Sequence, residues 1–268
     1  MPSRQMNQRL WSRYNWNSAG EEWSENWGST ANLWYGTLMP RIGAFLRDAR
    51  VVEIGPGHGR LSAYLARYCS SLVLVDLVPA CIDFCRRRFA KSTNIEYFVN
   101  DGSSLACLED KSVDLVFSFD SLVHADREVM TGYLSEIERV LRVGGRAVLH
   151  HSNLAALLAD TMSTMDPLAN FHLRARDVSA EIISSTTTQL ETLECRTQEL
   201  ISWDASLRLI DCISSFIRCD PRTNTSLDRY INAGFYDRAR ELRAMSERYQ
   251  GQCSAHLGID SFATRKGR

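Results

Sequence analysis

Short apolar runs and longer amphipathic stretches alternate through the first half of the chain. Val51-Val52-Glu53-Ile54 and Leu72-Val73-Leu74-Val75 are too short for helices, and so are the runs within 94–99, 112–120 and 147–151. Each is bounded by turn residues, which predicts buried strands. Between them Leu61, Leu65 and Tyr68 recur at helical spacing, Pro79 opens a helix to about Ala90, and a further helix is expected from Arg127 to about Leu141. A short helix is predicted over 41–47. Strand–helix alternation of this kind predicts an α/β fold with a parallel sheet. Beyond 151 the pattern is less regular. It predicts a helix and loop over 152–170 and a helix near 178–193 capped by Asp177. Two antiparallel strands, 196–203 and 208–218, are expected to close one sheet edge. A charged helix follows over 228–249.

Residues 1–40 hold five of the six tryptophans: Trp11, Trp16, Trp23, Trp27 and Trp34. A disordered tail rarely carries so many large aromatic groups. Short helices ending near Pro40 are expected, folded as a lid over a cleft, with Trp23 and Trp27 on one helical face. The chain divides into a helical arm or lid (1–45), an α/β domain (46–220) and a C-terminal helix with a tail (221–268).

Composition narrows the function classes. A formal net charge of -1 gives no overall electrostatic case for nucleic acid or an anionic membrane. No apolar run reaches the length of a spanning helix, and the polar N-terminus lacks the apolar core of a signal peptide. A cytoplasmic protein is expected. None of the eight cysteines forms a C-x-x-C pair, so core thiols are expected rather than a metal site, Cys81 and Cys85 on one helix face included.

The chemistry is concentrated after the first strand, in Glu53-x-Gly55-x-Gly57-x-Gly59. Glycine allows the sharp turn and a ligand's approach to the backbone, and amides opening the next helix suit a carboxylate or phosphate. Asp76 ends the second strand about 20 residues on, where an acid holds ribose hydroxyls. With Asn100-Asp101-Gly102 after strand three, Phe119-Asp120 after strand four, and Arg-Val-Leu-Arg-Val-Gly-Gly-Arg before strand five, the order resembles class I S-adenosylmethionine-dependent methyltransferases over about residues 50–153. The resemblance implies a doubly wound, Rossmann-like sheet of about seven strands with one antiparallel edge strand. It implies S-adenosyl-L-methionine as cofactor, with Glu53, Gly55, Gly57 and Gly59 at the methionine half. Asp76 would hold the ribose, Asp101 and Gly102 would lie at the adenine, Phe119 and Asp120 at the sulfonium, and Leu77 would also touch the cofactor. An Asx-turn is the other reading of Asp101. The stretches His150-His151-Ser152-Asn153, His172-x-Arg174-Ala175-Arg176-Asp177 and Ile210-Asp211-Cys212 also resemble a bacterial group that modifies sugars in polysaccharides or glycosylated natural products.

A hydroxyl acceptor calls for a base. His124 is the first candidate, oriented by Asp120 or Asp126; His151 and then His150 follow. Strand alternation should send His150 and His151 to opposite sides. A metal held by these histidines and aspartates is disfavoured, because adjacent histidines are poor joint ligands. The expected acceptor is a small molecule with a sugar-like or natural-product hydroxyl. Alternatives are N-methylation of an amine, a nicotinamide-linked oxidoreductase, and a non-catalytic cofactor binder. Homo-oligomerisation through the aromatic arm stays open.

Overall fold

The computed structural model describes residues 3–160, 173–203, 208–223 and 225–253. The later part of the helix and loop expected over 152–170, and the tail beyond 253, lie outside them.

Eight strands form one sheet: β1 Arg50–Ile54, β2 Ser71–Asp76, β3 Ile95–Val99, β4 Val113–Ser118, β5 Leu141–Ser152, β6 Leu193–Ile201, β7 Asp211–Arg218 and β8 Asp228–Asn232. Their order is β3-β2-β1-β4-β5-β7-β6-β8. β1 pairs in parallel with β2 on one side and β4 on the other. The strand order therefore reverses between β1 and β4, and a crevice opens beyond their carboxyl ends. The arm supplies the helix α1 Arg4–Arg13 and two four-residue helices, α2 Thr30–Leu33 and α3 Met39–Ile42. α4 Ser62–Tyr68, α5 Pro79–Arg88 and α6 Arg127–Val140 connect the parallel strands. α7 Leu154–Asp160, α8 Ala180–Thr187 and α9 Phe235–Cys253 complete the described helices.

Side-chain alternation divides the core. Val52, Ile54, Val73 and Val75 face a layer containing Leu134 and Ile137 of α6. Val51, Leu72, Leu74 and Phe117 face the other layer, with Leu65 of α4, Ile82 of α5 and the arm's Trp27 and Trp34. Burying two indoles contributes several kcal/mol, on the order of 25 cal/mol per Å² of apolar surface, so the arm is anchored on the sheet domain.

Several expectations change. The sheet has eight strands rather than about seven. The antiparallel strand, β7, is internal, bonded to both β5 and β6. The edge is β8, parallel to β6, where the charge pattern suggested helix. Tyr230 and Ile231 suit a strand, and pairing with β6 outweighs the local preference. Trp23 and Trp27 do not share a face. Their segment, Glu21–Trp27, is a 3₁₀ helix, in which residues four apart lie about a third of a turn apart. Trp27 is buried and Trp23 is 40% exposed. β5 begins at Leu141, so the Gly144-Gly145 stretch is part of the strand, with a register shift against β4. α8 is capped by Ser179, whose side chain accepts from the Ile182 amide. Asp177 instead accepts from the Arg127 amide at the start of α6.

Candidate active site

The glycine loop, the ends of β2 and β4, and the arm enclose one pocket of about 1040 Å³, part of it open to solvent. Glu53, Gly55, Gly57, Asp76, Leu77, Gly102, Phe119, Asp120 and His124 line it. Gly59, Asp101, His150 and His151 do not.

All three loop glycines are left-handed: Gly55 has φ +70°, Gly57 φ +56° and Gly59 φ +79°, and a Cβ on Gly55 would sit 1.9 Å from Ser121 Oγ. Gly59 also serves packing. A Cβ there would lie 2.7 Å from the Phe89 ring. The Gly57 amide donates to Asp76 Oδ2 (3.1 Å) and the Val78 amide to Oδ1 (2.8 Å). Burial nonetheless raises the Asp76 carboxyl to about 6. Glu53 is held by the Ser62 hydroxyl at 2.5 Å and is raised by burial to about 7. Two buried, under-solvated carboxyls in one pocket fit a ligand that brings hydroxyl and ammonium donors. The cofactor implied by the sequence carries both, so the donor set fits it.

Asp101 is in an Asx-turn. Its Oδ1 accepts from the amides of Ser103 (3.0 Å) and Ser104 (2.8 Å). The Ser103 bond in particular holds its pKa below the usual carboxylate range. Its neighbour Gly102 is the residue that reaches the pocket.

The three histidines separate. His124 is buried at the rim, 4.9 Å from the Trp11 ring, with Nδ1 2.7 Å from the Leu173 carbonyl. That carbonyl requires the proton on Nδ1 and leaves Nε2 as an acceptor. Burial lowers its pKa to about 4. Asp126 does not orient it; this residue caps α6, accepting from the Val129 amide at 3.0 Å. His151 lies on the far side of β5, bonded to Ser214 Oγ (2.8 Å) and the Ser152 carbonyl (2.9 Å), and burial lowers its pKa to about 4. It is removed from the pocket. His150 points the opposite way, as alternation requires, and sits beneath Phe119 at 4.6 Å between rings. Its nitrogens lie 3.2 Å from Asp120 Oδ1 and 3.3 Å from Asp211 Oδ2. Burial opposes its charge, but the two carboxylates prevail and raise it to about 9. Asp120 is depressed despite burial, by His150 and Arg60. It adopts φ +62°, rare outside glycine. The supposed metal set thus does not converge, and among the described residues no group of three or more His, Cys, Asp or Glu is placed to hold a metal.

Some pocket residues carry no sequence signal of their own. Arg60 donates to Asp120 Oδ2 (2.8 Å) and to Ser24 Oγ (2.6 Å). Only its place directly after Gly59 sets it apart. From the arm, Arg4 bonds Ser103 Oγ (3.1 Å) and the Asn7 amide bonds the His124 carbonyl (2.8 Å). Trp16 stacks on His58 at 4.5 Å, and His58 on Phe84 at 3.8 Å. Aromatic surplus marks the arm as packed, but does not say on what.

A methyltransferase-domain family model matches residues 52–149, from β1 into β5. Over these residues the chain is similar to a methyltransferase domain, which supports S-adenosyl-L-methionine as the cofactor. The chain is 37% identical over 104 residues to a fatty-acid O-methyltransferase of Mycolicibacterium smegmatis, covering 38% of this chain and 36% of that protein. It is 27% identical over 137 residues to a ubiquinone biosynthesis O-methyltransferase of Xanthomonas oryzae pv. oryzae, covering 48% and 56%. The chain thus spans about a third to just over half the length of these relatives. Among solved structures, the fold resembles geranyl diphosphate C-methyltransferase from Streptomyces coelicolor A3(2), in complex with Mg²⁺, geranyl diphosphate and S-adenosyl-L-homocysteine. That likeness has a TM-score of 0.59 at 15% identity, over 81% of this chain and 99% of that one. Among the described residues no helix is long and apolar enough to cross a membrane.

Proposed function

We propose that this protein is an S-adenosylmethionine-dependent methyltransferase acting on a hydroxyl of a small acceptor. When bound, the cofactor supplies a methyl group on a sulfonium. Glu53 and Asp76 receive its ammonium and ribose donors, while Gly55 and Gly57 let it approach the backbone. Leu77 and Gly102 border the base, and Phe119 borders the reacting end. The arm shields the pocket from water, and the indoles of Trp11, Trp16 and Trp23 suit a ring-shaped acceptor such as a sugar or natural-product scaffold.

One observation carries the O-directed reading: His124 shares the pocket with the glycine loop, and its Nδ1 is committed to a carbonyl. Nε2 accepts the hydroxyl hydrogen and aims the oxygen lone pair at the methyl carbon. A histidine held near 4 is a weak base before transfer. An acceptor oxygen that received the cofactor's methyl group, with the sulfur leaving as a neutral thioether, would become an oxonium. An oxonium is a far stronger acid than this imidazolium, so Nε2 takes the proton late. The nicotinamide alternative lacks support beside the methyltransferase-domain match.

The test is a mass-spectrometric methyl-transfer assay over hydroxyl and amine acceptors, with wild type and His124→Ala. The proposal expects transfer to a hydroxyl, reduced about 100-fold in the variant, with S-adenosylhomocysteine affinity kept. Transfer to an amine at undiminished rate in His124→Ala would replace it with N-methylation. Cofactor binding without transfer to any acceptor would point to a binding-only protein.

A further inference from the structure

The aromatic residues of the first arm segment meet as one cluster at the pocket. Between ring centres, Trp11 lies 5.4 Å from Tyr14, 6.2 Å from Trp16 and 6.0 Å from Trp23. Tyr14 lies 4.9 Å from Trp16 and 5.6 Å from Trp23. Trp11 and Trp23 meet at 66°, and Tyr14 and Trp16 at 79°, so the rings build a corner rather than a flat stack. All three indoles line the pocket. Anchoring the arm does not require them. Trp27 and Trp34 do that and are 1% and 0% exposed, whereas Trp23 is 40% exposed.

A carboxylate stands beside this corner. Glu22 precedes Trp23, and its side chain folds back so that Oε2 accepts from the Gly20 amide at 3.0 Å. Gly20 itself lines the pocket. The Tyr14 hydroxyl feels the same carboxylate: burial raises its pKa, and the Glu22 charge raises it further. Glu22 Oε1 is buried and has no hydrogen-bond partner. Among the described residues no cation forms an ion pair with Glu22. The arginines of this region are engaged elsewhere: Arg60 with Asp120 at 2.8 Å, Arg88 with Glu21 at 3.5 Å and Arg4 with Glu128 at 2.9 Å. His58, stacked on Trp16, does not supply the charge either, because burial lowers its pKa in spite of Glu22. A buried oxygen without a partner is costly, and aromatic faces attract cations. Rings and carboxylate therefore call for the same group, a positive charge on a partly apolar body.

We propose that Trp11, Trp16, Trp23 and Glu22, with Tyr14 completing the corner, form a subsite for a cationic amine carried by the methyl acceptor. The proposal rests on the pocket's reading as a site of methyl transfer to a hydroxyl. It names the acceptor class: an amino alcohol or amino sugar, with its hydroxyl at His124 and its ammonium in the aromatic corner. Trp11 joins the two places, its ring 4.9 Å from that of His124. An ammonium held there has no lone pair, so the nitrogen cannot attack the methyl group and the hydroxyl remains the nucleophile.

The test is calorimetric titration of the full chain with two pairs of hydroxyl compounds, with and without saturating S-adenosylhomocysteine. Choline and the neutral alcohol that has carbon in place of its nitrogen share one shape and differ in charge. Glucosamine and glucose differ by an ammonium in place of one hydroxyl. Wild type should prefer the cationic member of at least one pair by about 10-fold. Preference for choline reports a quaternary ammonium, and preference for glucosamine a primary one. Glu22→Gln keeps an oxygen for the Gly20 amide and should cut the preference to about twofold or less. Trp23→Leu should shrink it several-fold. Both variants should keep S-adenosylhomocysteine affinity within about twofold, whereas a merely structural loss would weaken that ligand too. No preference in either pair by wild type overturns the proposal, even if a variant fails to fold. So does a preference that Glu22→Gln leaves intact. Those outcomes leave hydroxyl-directed transfer standing, which the methyl-transfer assay tests separately. Transfer to the nitrogen of a preferred amine overturns the hydroxyl reading and leaves the subsite standing, and failure of S-adenosylhomocysteine to bind overturns the methyl-donor reading on its own.

Discussion

His124 at the rim and His150 beneath the floor are both buried, and they titrate in opposite directions. Burial governs His124, whose ring partner is a neutral carbonyl, and lowers it to about 4. His150 pays the same desolvation, but two carboxylates outweigh it and raise it to about 9. Burial alone therefore says little about a histidine's charge; the partner decides it. One ring is an acceptor facing the pocket, and the other lies between two carboxylates beneath its wall, with Nδ1 also accepting from the Asp120 amide.

The largest break in this contrast is removal of the floor's anchor. Asp211→Ala leaves His150 and Arg174 without their shared carboxylate and should destabilise the fold by about 3–5 kcal/mol in chemical denaturation. At the rim, His124→Ala should cost methyl transfer about 100-fold, roughly 2.7 kcal/mol, with little change in stability beyond the lost packing. The two variants thus fail in different assays.

Titration sharpens the pair. His150 sits above its unfolded value, so its contribution to stability is complete below pH 6.5 and is lost as pH rises through about 9. His124 sits below its unfolded value, so its contribution is complete above pH 6.5 and is lost as pH falls towards about 4. Ring-resolved NMR should find the two midpoints on opposite sides of 6.5. Equal midpoints would remove the distinction.

Smaller effects separate loop from turn. Gly55→Ala must displace Ser121 and sustain φ +70°, so it should cost about 1–3 kcal/mol of stability, together with cofactor affinity. Asp101→Asn retains the oxygen that holds the Ser103 and Ser104 amides. It should change S-adenosylhomocysteine affinity by no more than about twofold, within the range of ordinary surface changes. A large loss would mean that the carboxylate itself reaches the ligand.

How far the sequence reaches follows the same division. From β1 to β5, apolar runs alternate with amphipathic helices, and the chain keeps one local rule at a time. The glycine loop, Asp76, Gly102 and Phe119 were legible there, because each ends a strand whose neighbours are parallel. Beyond β5 the determinants are tertiary. β7 lies between β5 and β6, and Asp228–Asn232 becomes a strand only through β6. Alternation separated His150 from His151, but nothing local said which faced the pocket. That depended on Asp211, whose partners Arg174 and His150 are 37 and 61 residues away. Arg60 and the 3₁₀ segment were missed for a similar reason. Their roles depend on contacts with Asp120 and Ser24, and no repeat in the sequence encodes those.

The account depends most on the pocket beyond β1 and β4 taking an adenosyl methyl donor. Calorimetric titration with S-adenosylhomocysteine, of wild type and of Asp76→Ala, tests that most directly. Saturable one-to-one binding in wild type, weakened at least tenfold in the variant by loss of the ribose contact, is the predicted result. Absence of binding in wild type, or equal binding by both proteins, would contradict it.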